Sequence, residues 1–367
     1  MKMSFRWYGR GNDPIPLAYI RQIPAMEEIV WALHDKAPGE LWTESEIGEE
    51  IAYIESQGLR ATIVESVNIH DDIKLGLPTR DNYIDIYKKT LENLAKNGVK
   101  VVCYNFMPIF DWTRTDMFHS LEDGSTALFF DKEKIFSIDP QELIDMVEKE
   151  SHGLTLPGWE PERLSRIKDL FAAYEGFDDN RLRDNFKYFI DAIIPTCEEF
   201  DIKMAIHPDD PPFSIFGLPR LVNNVENIDR LLATNSSQYN GLTFCTGSLG
   251  ADPLGADPQN QLVEMVKKYH ERIHFMHIRN VRVDQNGDFS EVSHRTQDGT
   301  VDITGVIQTL AECNFKGYVR PDHGRHVFGE NSTNVRPGYG LYDRAMGAMY
   351  LTGSWDMANR MKDNKQV

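Results

Sequence analysis

The sequence predicts an α/β fold, a (β/α)8 TIM barrel in which residues 1–367 form a single domain with a long insertion after strand four. Three observations support this fold class. Short β-type runs alternate with longer helical patterns, and eight such units can be recognised along the chain. Continuous apolar runs such as residues 99–104 are typical of parallel strands buried on both faces. A length of 367 residues accommodates one barrel with insertions.

Each predicted strand is a short run rich in β-branched, aromatic or other apolar residues. The eight predicted strands cover residues 5–8, 28–33, 61–65, 100–105, 203–207, 242–245, 273–277 and 318–322. The helical patterns between them cover residues 44–57, 80–97, 182–200, 225–233, 259–270 and 303–314. Gly58 and Gly98 follow the first two of these helices as expected for C-caps. This order favours parallel strands joined by right-handed crossovers.

One connection is too long for a simple crossover. Residues 107–180, after strand four, are therefore predicted to form an insertion on the catalytic face, with a helix over 140–149. After strand seven, residues 281–300 are predicted to form a β-hairpin, because Asn286 and Gly287 provide a turn between two β-type runs.

Composition and charge disfavour nucleic acids and membranes as partners and indicate where the protein is located. A net charge of -18 disfavours a nucleic-acid or anionic-membrane binder, since phosphate recognition needs a positive surface. There is no apolar run of about 20 residues, so no transmembrane helix is expected. The four scattered cysteines suggest reduced thiols, and the N-terminus lacks a long apolar signal core. We therefore expect a cytoplasmic protein.

Four predicted strands end on residues that commonly bind metals. These are His207, Cys245, His277 and Asp322, at the ends of strands five to eight. In parallel barrels the chemistry lies at the carboxyl ends of the strands, and neighbouring strand ends lie about 5 Å apart. The four side chains can therefore converge on one ion.

The donor set of two imidazoles, one thiolate and one carboxylate suits zinc, iron(II), manganese or cobalt. Each residue alone has an ordinary explanation: a satisfied polar histidine, a buried cysteine or an aspartate that caps a turn. Four at equivalent positions are more simply explained by a metal site. Because a catalytic ion needs further positions for substrate or water, manganese or iron(II) is favoured over zinc.

The residues that carry these features also carry a family resemblance. The string His-Pro-Asp-Asp-Pro-Pro at residues 207–212 and the string Arg-Pro-Asp-His-Gly at residues 320–324 are specific, and residues 5–9, 277–280 and 337–339 support them. With these motifs the chain resembles the mannonate dehydratase (UxuA) family over essentially its whole length.

The resemblance implies a xylose-isomerase-like barrel that depends on Mn2+ or Fe2+. It further implies a hydro-lyase that converts D-mannonate to 2-dehydro-3-deoxy-D-gluconate and water in hexuronate (glucuronate) catabolism. Carried over residue by residue, His207, Cys245, His277 and Asp322 are the metal ligands. His323 and Tyr339 fall where the family's proton-transfer residues lie. The expected small-molecule partner is an aldonate substrate. The protein is expected to form a homo-oligomer, specifically a dimer.

Dehydration of an aldonic acid requires one group that removes the proton on C2 and one that assists loss of the hydroxyl on C3. His323 and Tyr339 can fill these roles in either order, although Tyr339 could instead be a packing aromatic. Arg279, two residues after His277, could bind the substrate carboxylate or could form a surface ion pair.

Two other functions remain open at this point. A metal-dependent sugar isomerase or epimerase on a similar barrel would be expected to use several carboxylates and often two metals. A metal-stabilised sugar-binding protein without turnover would not need His323 and Tyr339. Both alternatives are therefore less favoured than dehydration.

Overall fold

Eight parallel strands close a barrel in the computed structural model, which describes residues 1–150, 166–252 and 258–365. In sequence order the barrel strands are β1 (Lys2–Arg6), β2 (Glu28–Trp31), β3 (Arg60–Glu65), β4 (Val101–Tyr104), β7 (Lys203–Ile206), β8 (Asn240–Cys245), β9 (Ile273–Ile278) and β12 (Tyr318–Pro321). Four further strands are β5 (Asp116–Ser120), β6 (Thr126–Phe130), β10 (Asn280–Val283) and β11 (Phe289–Val292). The predicted (β/α)8 barrel is confirmed.

Strand one begins earlier than predicted. Lys2 and Met3 already pair with Tyr318 and Val319 of β12, and this pairing closes the barrel between its first and last strands. The strand ends at Arg6, because the Tyr8 amide turns to donate to the side chain of Asp13. Pairing with the last strand therefore sets the start of β1, and local sequence patterns do not reveal this pairing.

The predicted helices are present, with small shifts at their ends. The helix predicted from residue 182 begins at Asp179, because the Asp178 side chain caps it by accepting from the Arg181 amide. The described helices are Leu17–Ile20, Glu44–Ser56, Asp71–Leu75, Arg80–Lys96, Lys132–Ser137, Pro140–Glu150, Ile167–Ala173, Asp179–Phe200, Val225–Thr234, Thr246–Gly250, Pro258–Tyr269, Ile303–Glu312 and Leu341–Lys365. None of these described helices combines the length and apolar character needed to cross a bilayer.

The core has an outer and an inner part. Most buried apolar side chains form one large cluster between the strands and the surrounding helices. A smaller cluster comes from the other face of the same strands and fills the barrel interior: Val30, Ile63, Val101, Cys103, Ala205, Phe275 and Tyr318. Because the interior is packed, chemistry is directed to the barrel mouth.

A second sheet joins two connections that are distant in sequence. Its order is β10-β11-β6-β5, so that the hairpin after β9 pairs with strands from the segment after β4. The hairpin predicted over residues 281–300 is present, but it is shorter than predicted, with its two strands over Asn280–Val283 and Phe289–Val292. Residues 151–165 of the predicted insertion lie outside the described residues, so the extent given for it, 107–180, stays a prediction.

Candidate active site

The four predicted ligands all lie at the carboxyl end of the barrel. Inward-pointing side chains occupy every second position of a strand. His207 and His277 each follow the interior residues Ala205 and Phe275 by two positions. The parallel register pairs Cys245 with His277, and Asp322 follows the end of β12. Strand alternation and register therefore bring the four side chains to one place.

The distances confirm that these side chains converge. One ligand atom from each of His207, Cys245 and His277 lies within 4.8 Å of the other two. The Asp322 Oδ2 atom lies 3.8 Å from Cys245 Sγ and 3.8 Å from His277 Nδ1. A second group, Glu65, Cys103 and His277, also lies within 4.8 Å and shares one histidine with the first.

Electrostatics distinguish the two groups. Burial opposes ionisation of Cys245, but Arg279 and the imidazoles of His207 and His277 hold the pKa of its thiol well below the usual range. Burial and the charge of Glu65 raise the pKa of the Cys103 thiol well above its usual range. Cys245 is therefore a thiolate, the form that binds metals, whereas Cys103 is a neutral thiol.

The donors of the first group fit a divalent metal. Burial opposes protonation of His207, yet the hydrogen bond and charge of Cys245 raise its pKa to about 9. Among the described residues, His277 Nε2 is buried without a hydrogen bond, although Glu65 Oε2 lies 3.3 Å from it. Two imidazoles, a thiolate and a carboxylate form a donor set for a borderline divalent ion.

His323 and Tyr339 form a pair beside these ligands. The His323 Nε2 atom lies 3.0 Å from the Tyr339 hydroxyl oxygen. Both residues line a cavity that also exposes His207 and Asp322. Burial, Tyr8 and the Asp322 carboxylate raise the pKa of Tyr339 well above its usual range, so its phenol remains protonated. A proton donor and an imidazole are thus adjacent at the cavity wall.

The loop before Tyr339 requires glycine at position 338. Gly338 has φ +77°, a conformation that L side chains rarely adopt, and a Cβ atom there would lie 2.6 Å from the Leu128 side chain. Its amide donates to His326 Nε2 at 2.8 Å. This backbone geometry places Tyr339 against the Tyr8 ring at a centroid distance of 5.0 Å.

Arg279 does not lie where the sequence analysis expected a substrate clamp. Its side chain is fully buried, with Nη1 2.5 Å from Glu291 Oε1, Nη2 2.6 Å from Asp210 Oδ2 and Nε 3.2 Å from Asp322 Oδ2. Each nitrogen therefore faces a carboxylate of the protein, and the residue does not line the cavity around His323. This placement argues against direct contact with a substrate and corresponds to the ion-pair alternative, although the pair is buried and not on the surface.

Sequence reasoning missed several charged residues that line the cavity, among them Arg6, Glu65 and Arg320. Arg320 Nη2 lies 2.6 Å from Asp322 Oδ1 and 3.1 Å from Glu65 Oε1. Arg6 is 2% exposed, and among the described residues its Nε and Nη1 atoms make no hydrogen bond. All three lie near strand ends with inward alternation, so the rule that predicted the four metal ligands could also have predicted these residues.

Comparison with known proteins identifies the family of this chain. The family model described as D-mannonate dehydratase (UxuA) matches residues 1–365. The mannonate dehydratase of Bacillus subtilis (strain 168) is 55% identical over 361 residues, covering 98% of each chain. The mannonate dehydratase of Thermotoga maritima is 50% identical over 364 residues, covering 99% of each chain.

Solved structures give the same result for the fold. The crystal structure of mannonate dehydratase from Streptococcus suis serotype 2 superposes with a TM-score of 0.84 at 40% identity, covering 99% of this chain and 95% of that chain. A xylose isomerase domain protein from Planctomyces limnophilus has a TM-score of 0.54 at 11% identity, covering 98% of this chain and 99% of that chain, a likeness of fold alone. The chain belongs to the D-mannonate dehydratase family.

Proposed function

We propose that this protein catalyses the dehydration of D-mannonate to 2-dehydro-3-deoxy-D-gluconate and water, as part of hexuronate catabolism. One observation carries the proposal beyond family membership. His207 and Asp322 line the same cavity as the His323–Tyr339 pair. Cys245 and His277 lie behind them, within 4.8 Å of His207 and 3.8 Å of Asp322. Metal-type ligands and a proton-transfer pair are the two components that this reaction needs.

We propose that His207, Cys245, His277 and Asp322 hold Mn2+ or Fe2+. A divalent ion supplies Lewis-acid stabilisation of the negative charge that develops when the C2 proton of a carboxylate substrate is removed. The support from this chain is the donor set and the thiolate state of Cys245. The restriction to Mn2+ or Fe2+, among the divalent ions that this donor set suits, rests on the family resemblance.

We propose that His323 and Tyr339 handle one proton each. His323 Nε2 faces the Tyr339 hydroxyl at 3.0 Å, and both groups border the space above the ligands. A neutral imidazole suits removal of the C2 proton, and a phenol with a raised pKa suits donation to the departing C3 hydroxyl.

We propose that Arg6, and not Arg279, binds the substrate carboxylate. Arg6 lines the cavity, is almost fully buried, and has two nitrogens without a hydrogen bond among the described residues. Arg320 lines the same cavity and also has two nitrogens without a hydrogen bond among the described residues, but its Nη2 is already paired with Glu65 and Asp322. A buried guanidinium with free donors is suited to a planar carboxylate.

The test is turnover of D-mannonate by the purified protein with added Mn2+ or Fe2+. We expect a 2-keto-3-deoxy acid, detected as its semicarbazone and identified by mass. D-gluconate, which differs at C2, is the control substrate, and ketoses are assayed in parallel. Formation of an isomeric sugar without loss of water would favour an isomerase or epimerase, and binding without any product would favour a sugar-binding protein. Either result would contradict dehydration.

A cytoplasmic location and a homodimeric assembly stay predictions. Fractionation of cells with an antibody against the chain tests the first, and light scattering coupled to size exclusion tests the second. A single peak at the mass of one chain, 42.1 kDa, would contradict the dimer.

A further inference from the structure

Glu291 lies outside the barrel strands and has no role in the chemistry described so far. It belongs to β11, the second strand of the hairpin that follows β9. Its side chain is completely buried, in a region where an unpaired charge would be costly. A carboxylate held in such a position requires cationic or hydrogen-bonding partners.

One of those partners is His323. Glu291 Oε1 lies 3.3 Å from His323 Nδ1, and the opposite ring nitrogen, Nε2, lies 3.0 Å from the Tyr339 hydroxyl. The carboxylate, the imidazole and the phenol therefore form a continuous series of hydrogen bonds that ends at the cavity. The Trp112 ring, whose centroid is 6.1 Å from that of His323, flanks the imidazole edge to face.

The ionisation state of Glu291 determines which atom donates and which accepts in each of these hydrogen bonds. Burial opposes its ionisation, but Arg279 and His323 lower its pKa to about 2, so it is a carboxylate at neutral pH. A carboxylate only accepts hydrogen bonds, so the His323 nitrogen that faces it, Nδ1, must carry the proton. In a neutral imidazole Nε2 is then left as an acceptor, directed at Tyr339.

We propose that Glu291 is a positioning residue, which orients the His323 ring and keeps its proton on Nδ1 so that Nε2 is free to accept one. This inference rests on the proposed function for its catalytic consequence, but the hydrogen bond itself does not. Mispositioning or the wrong tautomer of a catalytic histidine lowers turnover by about 10²–10⁴-fold where a carboxylate holds the ring in this way.

The competing explanation is that Glu291 only neutralises buried arginines. Its Oε1 atom also lies 2.5 Å from Arg279 Nη1 and 3.0 Å from Arg114 Nη2. Arg114 in turn binds Asp210 with contacts of 2.7 and 3.1 Å, and none of its hydrogen bonds or ion pairs goes to His323. An Arg114→Gln variant therefore disturbs the same ion cluster while leaving the Glu291–His323 contact in place, which makes it a matched control.

The first test needs no turnover. Proton NMR of the protein loaded with diamagnetic Zn2+ should show a low-field resonance from the His323 Nδ1 proton. The resonance should disappear in Glu291→Ala and in His323→Asn, and it should persist in Arg114→Gln. Absence of the resonance in the unmodified protein, or its persistence in Glu291→Ala, would overturn the proposal.

The second test is kinetic. Glu291→Ala should lower kcat by about 100-fold or more while KM and bound metal stay within about twofold. If the Ala variant does not fold, Glu291→Gln replaces it. This variant is nearly isosteric, but its amide group can turn its NH2 toward Nδ1 and favour the other tautomer, so it should also lower kcat by about 100-fold or more. Equal losses of kcat in Arg114→Gln and in the Glu291 variants would assign Glu291 to the ion cluster alone. An unmodified protein that shows the resonance but does not dehydrate D-mannonate would refute the proposed function and not the hydrogen bond.

Discussion

Replacing Cys245 by serine tests the metal site most directly. The substitution exchanges a thiolate for a neutral hydroxyl at the centre of the ligand group, where Sγ lies 3.8 Å from Asp322 Oδ2 and accepts from Ser248 Oγ at 3.2 Å. Changes to residues that only orient a metal ligand cost about 10–100-fold in metal affinity. Loss of a ligand should cost about 100-fold at least, which is about 2.7 kcal/mol.

The assay is metal content after gel filtration, followed by titration of the metal-free protein with Mn2+ against a chelator of known affinity. The matched control is Cys103→Ala, because Cys103 belongs to the second group of possible ligands with Glu65 and His277. We expect Cys103→Ala to retain metal, since its thiol is neutral and accepts a hydrogen bond from Thr243 Oγ1 at 3.1 Å. Retention of metal by Cys245→Ser and its loss in Cys103→Ala would refute the reasoning and move the ion to the second group.

Three further outcomes follow from the structure. His323→Asn should keep its metal but lose turnover by about 100-fold or more, as metal analysis and product assay on the same sample would show; loss of metal would instead make His323 a ligand. Gly338→Ala should lower the free energy of unfolding, measured in urea, by about 1–2 kcal/mol, because position 338 combines positive φ with crowding against Leu128. The control is Gly98→Ala, at a position with positive φ and open space, which should cost less. An equal cost in the two variants would refute the crowding argument. Cys245 raises the pKa of His207 to about 9 against the effect of burial. Below that pH, Mn2+ must displace a proton from His207, so the apparent affinity for Mn2+ should rise about tenfold per pH unit up to pH 9. Calorimetric titrations that show no pH dependence would contradict this.

Much of the barrel and half of the candidate site could be predicted from local patterns. Buried strands of a parallel barrel are continuous apolar runs, and their carboxyl ends meet at one mouth. A chemically reactive residue at a strand end can therefore be placed without knowing which strands are neighbours. His207, Cys245, His277 and Asp322 were found in this way, and the distances between them agree.

Arg279 shows the limit of the same reasoning. Its position two residues after His277 left two roles open, a substrate clamp and an ion pair. The strand β9 ends at Ile278, and the chain turns into the hairpin strand β10. The guanidinium is thereby directed toward Asp210 and Glu291. Alternation holds only while the strand continues, and the end of a strand is poorly defined by local composition.

The sequence by itself determined the eight-stranded barrel, the shared position of the four predicted ligands and the adjacency of Asp322 and His323. Each of these depends on local periodicity or on the shared direction of parallel strands. Only the tertiary structure decided which charged groups surround His323. Arg114 and Glu291 are 177 residues apart and meet because the segment after β4 pairs with the hairpin after β9. Pairing between distant strands is set by packing of the whole molecule, and no local pattern specifies the partner.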